Sequence, residues 1–330
     1  MRKPAVPRKP VNRTAAKRAQ RQAKRRLSHG GCYVGLSPEQ ADIDLAMVSS
    51  RAPALAGDIG FRLFCLPRYS SHRSADHSVL VQRARHHLRL ASTIWLDSAV
   101  GRIAAHVMRP DRAEPVGSVL VVHGWTSESS FMTALAEPLR RSGFHVVLVD
   151  CPAHGLSGGD RVSLIDCARA VLAVGDRLGP FDHVVAHSMG CLAALLAGRG
   201  GEPFAQRHDF KRYVLISTPN AFGEVMGTFA QERGLSPAAQ RVYERHLERV
   251  AWRPITSLRA DRFLPFIDRP ALLIHADDDA EIPPHNAMGI AATCPKVRLL
   301  LMPGLGHRKI LHAPPVIRAV IGYLKQAPTD

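Results

Sequence analysis

The sequence contains no acidic residue before Glu39, and no apolar run approaches the roughly 18–20 residues of a membrane-spanning helix. Its six cysteines form no C-x-x-C pair and have no regular spacing, which argues against a structural zinc site and against a disulfide framework. A reducing compartment fits this cysteine pattern best, so we expect a cytoplasmic protein. The seventeen histidines are scattered. No lysine-containing phosphate loop is present, and we expect neither a metal nor a cofactor.

The lack of acids makes residues 1–30 a basic tail. Eleven lysine and arginine residues precede Glu39, so removing them from the net charge of +16 leaves about +5 for the rest of the chain. The tail has too few apolar groups to offset the entropy of ordering, and we predict that it is disordered. Its charge could contact nucleic acid or an anionic membrane surface. No aromatic residue is interleaved for stacking, so a solvated tail, or an extension from a start codon placed too far upstream, is the favoured interpretation.

The remaining chain divides into a leader and a larger domain. Residues 31–85 are expected to form one or two helices, starting near Ser37, followed by a polar linker. Apolar leader side chains should dock onto the domain; they are Phe61, Leu63, Phe64 and Leu66. Residues 86–326 should form the domain, with a helical lid inserted at about 219–268.

Alternating strands and helices indicate the fold of this domain. A hairpin is expected first, and short apolar runs then alternate with helical patterns, which is typical of a parallel sheet covered by helices. We predict strands at 90–96, 103–108, 118–122, 145–149, 183–186, 213–216, 271–275 and 297–302. We predict helices at 131–142, 162–178, 190–198, 236–250, 285–293 and 314–324. In such sheets the functional residues lie at the carboxyl ends of the strands.

A serine stands at one of these strand ends. The segment A-H-S-M-G (186–190) follows an apolar run and precedes a helical pattern, which is the layout of a nucleophile elbow around Ser188. The tight turn needs small residues two positions before and two after the serine, and Ala186 and Gly190 meet this need. A serine hydroxyl needs a base to accept its proton. His307, in the P-G-L-G-H loop (303–307) that follows the last predicted strand, is the candidate base.

Four motifs in order carry a resemblance to a known family. They are V-V-H-G-W (121–125), A-H-S-M-G (186–190), L-I-H-A-D-D-D-A-E-I-P (273–283) and P-G-L-G-H (303–307). Together they resemble the α/β-hydrolase fold serine hydrolases, a group that includes esterases, lipases and acylglycerol lipases, over roughly residues 86–326. The resemblance implies an α/β fold with a mostly parallel eight-stranded sheet, flanking helices and a small helical lid.

The resemblance also implies the roles of the site residues. Three adjacent aspartates could orient His307; the family register H-G-x-x-D-x-x-V-P selects Asp279 over Asp277 and Asp278, although Ala276 and Ile282 depart from it. The backbone amides of Met189 and Trp125 should form the oxyanion hole. The supporting residues of these loops are His123, Gly124, His187 and Gly190.

The expected function is hydrolysis of a carboxylic ester through an acyl-enzyme intermediate, with Ser188, His307 and Asp279 as the triad. The apolar residues of the lid favour a hydrophobic acyl or aromatic substrate. Two alternatives stay open at this point. The same triad could transfer the acyl group to an alcohol or amine, or the protein could be a non-enzymatic binding protein with a basic arm. The oligomeric state is left open.

Overall fold

The computed structural model describes residues 44–67 and 84–327. The predicted basic tail at 1–30, the leader start near Ser37 and most of the polar linker lie outside these residues. No helix within the described ranges combines the length and the apolar character needed to cross a bilayer.

An eight-stranded sheet organises the described chain. Its strands are β1 (Ser92–Ser98), β2 (Gly101–Met108), β3 (Ser118–Val122), β4 (His145–Val149), β5 (His183–His187), β6 (Arg212–Ile216), β7 (Ala271–Ala276) and β8 (Val297–Met302). Their order across the sheet is β1-β2-β4-β3-β5-β6-β7-β8. The first two strands run antiparallel to their neighbours, and β3 to β8 are parallel to one another. The predicted mostly parallel eight-stranded sheet is confirmed.

Helices cover this sheet and extend from it. They are α1 (Leu45–Arg51), α2 (Pro53–Phe64), α3 (Thr133–Arg141), α4 (Leu164–Leu178), α5 (Met189–Arg199), α6 (Phe222–Glu232), α7 (Pro237–Ala251), α8 (Ala260–Ile267), α9 (His285–Thr293), α10 (Gly306–Lys309) and α11 (Pro314–Leu324). The central strands are buried on both faces, which explains why their sequences are continuous apolar runs rather than alternating ones.

Several predicted boundaries near the start of the domain were wrong: β1 ends at Ser98 instead of 96, and β2 begins at Gly101 instead of 103. Leu88–Leu90 forms a 3₁₀ turn, so β1 begins at Ser92 instead of at Leu90. The predicted helix at 131–142 likewise opens with a 3₁₀ turn at Ser129–Met132 before α3 begins. An apolar residue fits either a strand or a short turn, and the local pattern cannot separate the two.

The described part of the leader contains the two helices α1 and α2. Asp44 caps α1 by accepting the backbone N–H groups of Ala46 and Met47, and Pro53 occupies the first turn of α2. Three of the side chains expected to dock are buried; they are Phe61, Leu63 and Phe64. Helix α2 packs closely along α7, where Asp58 pairs with His246 and Gly57 lies against Ala239, so the leader contacts the insertion between β6 and β7.

That insertion, expected at about 219–268, consists of α6, α7 and α8. The predicted helix at 236–250 corresponds to α7, whose N-cap Ser236 accepts the N–H of Ala239. One isolated bridge, between Ala221 and Arg259, closes the base of the insertion.

Candidate active site

Ser188 occupies a strained turn between β5 and α5. Its backbone has φ 53° and ψ −126°, a conformation that residues with side chains rarely adopt. The N–H of Ser188 donates to Ile216 O at 2.9 Å, which ties the turn to the neighbouring strand. A Cβ atom on Gly190 would lie 2.3 Å from His123 O, so only glycine fits there. The strain and the tight packing are those of a nucleophile elbow.

His307 lies beside this turn. Its Nε2 is 3.0 Å from Ser188 Oγ, although the two residues are 119 positions apart in the chain. We expected His307 in a loop after β8, but it lies in the single-turn helix α10, and its side chain is mostly buried. Gly304 and Gly306 have positive φ values and let the chain turn back toward the sheet immediately after β8.

Asp279 completes a hydrogen-bonded series with these two residues. Its Oδ2 and Oδ1 lie 2.9 Å and 3.2 Å from His307 Nδ1, and since a carboxylate can only accept, Nδ1 carries the proton. Nε2 is then free to accept the proton of Ser188. Asp279 Oδ1 also accepts the N–H groups of Glu281 and Ile282. Burial would raise the pKa of Asp279, but the hydrogen bond and charge of His307 outweigh burial and lower it.

The neighbouring aspartates have a different position. Asp277 and Asp278 are exposed, and their Oδ1 atoms accept the N–H groups of Gly304 at 3.0 Å and Gly306 at 2.7 Å. They therefore brace the turn that carries His307, while Asp279 alone of the three contacts its imidazole.

The loop after β3 packs directly against the serine. A Cβ atom on Gly124 would lie 2.9 Å from Ser188 Cβ, so the backbone of this loop contacts the serine. The next residue, Trp125, therefore lies at the edge of the site. His123 donates from Nδ1 to Gly124 O and accepts the N–H of Cys151 at Nε2, and burial lowers its pKa. His123 is therefore neutral, and its two ring nitrogens each make one hydrogen bond. It links two loops and has no nitrogen free to transfer a proton.

Trp125 and Met189, the two predicted oxyanion donors, both line the same cavity as Ser188. Met189 is the first residue of α5, where backbone N–H groups have no partner within the helix. The Trp125 ring stacks on Phe64 of the leader, with centroids 5.4 Å apart.

His187, expected only to support the loop, touches the candidate base. It donates from Nε2 to His307 O at 2.9 Å, and the two rings lie 4.7 Å apart. Burial, the largest influence, lowers the pKa of His187 to about 3.

A buried network around Asp150 includes His106, whose part in it was not predicted. Asp150, after β4, pairs with His106 Nε2 at 3.1 Å and accepts the N–H groups of Ser129 and Leu156. Burial opposes ionisation of Asp150, yet the hydrogen bonds from His106 and from the N–H of Leu156 help to lower the pKa of this carboxyl. This network fixes the loops around the site. The sequence marks Asp150 by its place after a strand but gives no sign that His106, on an antiparallel strand, faces it.

A cavity of about 1310 Å³ opens above Ser188. Apolar residues from four regions line it: Leu63, Phe64 and Leu66 of the leader, Phe131 before α3, Val225 and Phe229 of α6, and Ile282 and Leu311 near His307. Charged residues on the lining include Glu224, Glu232 and Arg308, all exposed. The sequence predicts that the leader docks on the domain, but it gives no sign that the leader also lines this cavity.

Comparison with known proteins decides the family. Residues 119–319 match the model of the alpha/beta hydrolase family. The chain belongs to this family. The match confirms the predicted fold class, and it covers the four motifs on which the prediction depended.

Solved structures show the same fold. Est1E from Butyrivibrio proteoclasticus superimposes with a TM-score of 0.56 at 20% identity, covering 70% of this chain and 97% of that one. Naproxen esterase (carboxylesterase NP) from Bacillus subtilis gives 0.54 at 17% identity, covering 76% and 99%. An esterase from Pyrococcus furiosus gives 0.54 at 18% identity, covering 73% and 94%. No curated protein matches this sequence significantly.

Proposed function

We propose that this α/β-hydrolase is a serine esterase that cleaves carboxylic esters through an acyl-enzyme intermediate. The observation that carries the proposal is the unbroken hydrogen-bonded series from Ser188 Oγ through His307 to Asp279 at the base of a large cavity. Membership of the hydrolase family and the presence of esterases among the structural neighbours support it.

In the proposed acylation step, Ser188 Oγ attacks the ester carbonyl while its proton passes to His307 Nε2. Asp279, ionised because its pKa is lowered, stabilises the resulting imidazolium and keeps Nδ1 protonated. The N–H groups of Trp125 and Met189 would donate to the tetrahedral oxyanion, and the loss of one such donor typically costs about 3–4 kcal/mol.

Collapse of the tetrahedral intermediate breaks the bond to the alcohol, which leaves with the proton of His307. Water then enters, gives a proton to the same Nε2 and attacks the acyl carbon, and the acid departs as Ser188 is regenerated. Each proton is taken and returned at one nitrogen, so the tautomer fixed by Asp279 serves both halves of the reaction.

The lining of the cavity supports a hydrophobic substrate. Drug-sized ligand sites are usually about 300–1,000 Å³, so a cavity of about 1310 Å³ has room for a long acyl chain or an aromatic acid. Helices α6 to α8 at 219–268 are proposed to act as its lid. Est1E has been solved with ferulic acid bound, so aromatic esters belong in any substrate panel.

A fluorophosphonate probe tests the proposal directly, because it reacts with activated serines. We expect the purified protein to be labelled and the Ser188→Ala variant to remain unlabelled. Absence of labelling in the wild type, or equal labelling of both proteins, would overturn the proposal. A panel of p-nitrophenyl esters, from acetyl to palmitoyl and with aromatic acids, then defines the substrate.

A further inference from the structure

Helix α2 of the leader lies outside the residues 119–319 that match the family model, yet it reaches the candidate active site. Leu63, Phe64 and Leu66, at and just beyond its C-terminal end, line the cavity above Ser188. Family membership alone therefore does not account for this wall.

Contacts on two sides hold α2 in place. Toward the insertion, Asp58 of α2 pairs with His246 of α7, and Ser49 Oγ of the preceding helix α1 accepts the N–H of Ser236 at 2.7 Å. Toward the main domain, the N–H of Val162 donates to Cys65 O at 2.9 Å, one residue beyond Phe64. The helix thus joins the insertion to the sheet domain instead of lying loosely on the surface.

Phe64 is the centre of an aromatic cluster at this junction. Its ring stacks on Trp125 at 5.4 Å and meets three rings of the insertion edge-on, at 5.3–5.9 Å. These three are Phe222, Phe229 and Tyr243. Edge-to-face and offset-stacked geometries are favourable for aromatic pairs. Phe64 is thereby fixed between the lid and the loop of the proposed oxyanion hole.

Gly124 and Trp125 connect Phe64 to the serine. Gly124 packs so tightly on Ser188 that a Cβ atom there would lie 2.9 Å from the serine Cβ. Trp125 is the next residue, and Phe64 covers its ring. Phe64 also lines the cavity, so an acyl chain leaving Ser188 along the leader side meets this ring.

We propose that α2 is part of the acyl-binding site and that Phe64 determines how long an acyl chain is accepted at Ser188. This inference rests on the proposed ester hydrolysis. A smaller side chain at position 64 lengthens the pocket and should shift the preference toward longer esters.

Phe61 offers a matched control on the same helix. It is buried to a similar extent as Phe64, with relative exposures of 4% and 6%. Its ring packs on His246 and Tyr243 of the insertion, but Phe61 does not line the cavity in the described part of the chain. Shortening either residue removes aromatic packing, but only position 64 changes the space for substrate.

The experiment uses the full-length protein with Phe64→Leu, Phe64→Ala and Phe61→Ala. For each, kcat/KM is measured on p-nitrophenyl butyrate and p-nitrophenyl laurate. We expect the laurate-to-butyrate ratio to rise about tenfold in the Phe64 variants and to stay near the wild-type value in Phe61→Ala. Phe64→Leu keeps a large apolar side chain, so the test remains available if Phe64→Ala does not fold.

Two outcomes overturn the inference separately from the proposed function. If fluorophosphonate labels Ser188 but the ratio is unchanged in Phe64→Leu, Phe64 does not determine acyl length. If the ratio shifts equally in Phe61→Ala, the effect comes from loosened packing and not from the pocket. If the wild type is not labelled at all, the proposed function fails and the inference fails with it.

Discussion

The imidazole of His187 donates a hydrogen bond to the backbone carbonyl of His307 at 2.9 Å. His187, which directly precedes the proposed nucleophile Ser188, thus holds the proposed base in position. The two rings lie 4.7 Å apart. The elbow and the turn after β8 are thereby joined by a side chain as well as by the reacting groups. The alignment of Ser188 with His307 depends in part on this contact.

Replacing His187 with phenylalanine should keep the ring and remove the hydrogen bond. Because a net hydrogen bond contributes about 0.5–1.5 kcal/mol, we expect kcat to fall roughly two- to tenfold with little change in KM. Stability should change little, because the loss of the donor to the His307 carbonyl is offset by removal of the His187 Nδ1, which is buried without a hydrogen-bond partner among the described residues. Steady-state kinetics and thermal unfolding measure both quantities, and His187→Gln should recover part of the rate. A wild-type kcat in His187→Phe would show that the bond does not position His307.

The adjacent aspartates provide a test of the acid. Asparagine at position 279 would present an amide N–H to His307 Nδ1 and disfavour the tautomer that can accept a proton from Ser188. We expect Asp279→Asn to lower kcat by about 10³–10⁴. In Asp278→Asn the amide oxygen can still accept the N–H of Gly306, so kcat should stay within about threefold of wild type. Equal losses in the two variants would contradict the assignment of Asp279.

Much of the fold could be predicted from local pattern. The continuous apolar runs of the central strands exist because helices bury both faces, and the small residues around Ser188 are imposed by close backbone contacts that any such turn requires. The family register was enough to select Asp279, which the structure places against His307.

The remaining features depend on contacts between distant segments. The bond from His187 to His307 joins residues 120 positions apart, and the stacking of Phe64 on Trp125 joins the leader to the sheet domain. Nothing near Phe64 in sequence distinguishes it from Phe61, which packs on His246 and Tyr243 of the same insertion but is not among the described residues that line the cavity. The periodicity of a helix predicts which side chains are buried but not what they are buried against.

Several buried histidines should make the folded state sensitive to acid. Burial is the main cause of the lowered pKa of His123 and His275, and it lowers the pKa of His183 to about 4 and of His187 to about 3. In the unfolded chain these groups take up protons near pH 6.5. The unfolded state therefore binds more protons below that pH, so this stabilisation is complete above pH 6.5 and is lost as the pH falls toward 4 and 3.

Thermal unfolding between pH 7 and pH 4.5 measures this effect. We expect the Tm to fall steadily over this range. His183→Leu should reduce the pH dependence of the unfolding free energy by up to about 1.4 kcal/mol per pH unit, the value for one proton. A flat Tm across the range would contradict the expected acid sensitivity.

The contact between α2 and α7 depends on a glycine. A Cβ atom on Gly57 would lie 2.5 Å from Ala239 O and 2.6 Å from Val242 Cβ, so even alanine must force the helices apart. We expect Gly57→Ala to destabilise the protein by about 1–3 kcal/mol, as overpacking does. Because α2 carries Phe64 into the cavity, the same variant should also lower kcat/KM for the preferred ester.

Gly322 is the matched control, since it lies in α11 and a Cβ atom added there would have no described neighbour within 4 Å. Alanine there should stabilise the protein by about 0.5–1 kcal/mol through helix propensity. Urea unfolding of both variants measures the two effects, which have opposite signs for the same chemical change. If Gly57→Ala were as stable as Gly322→Ala, α2 could not be packed on α7 at the distance that fixes Phe64 beside Trp125, and the leader would be free to move away from the cavity.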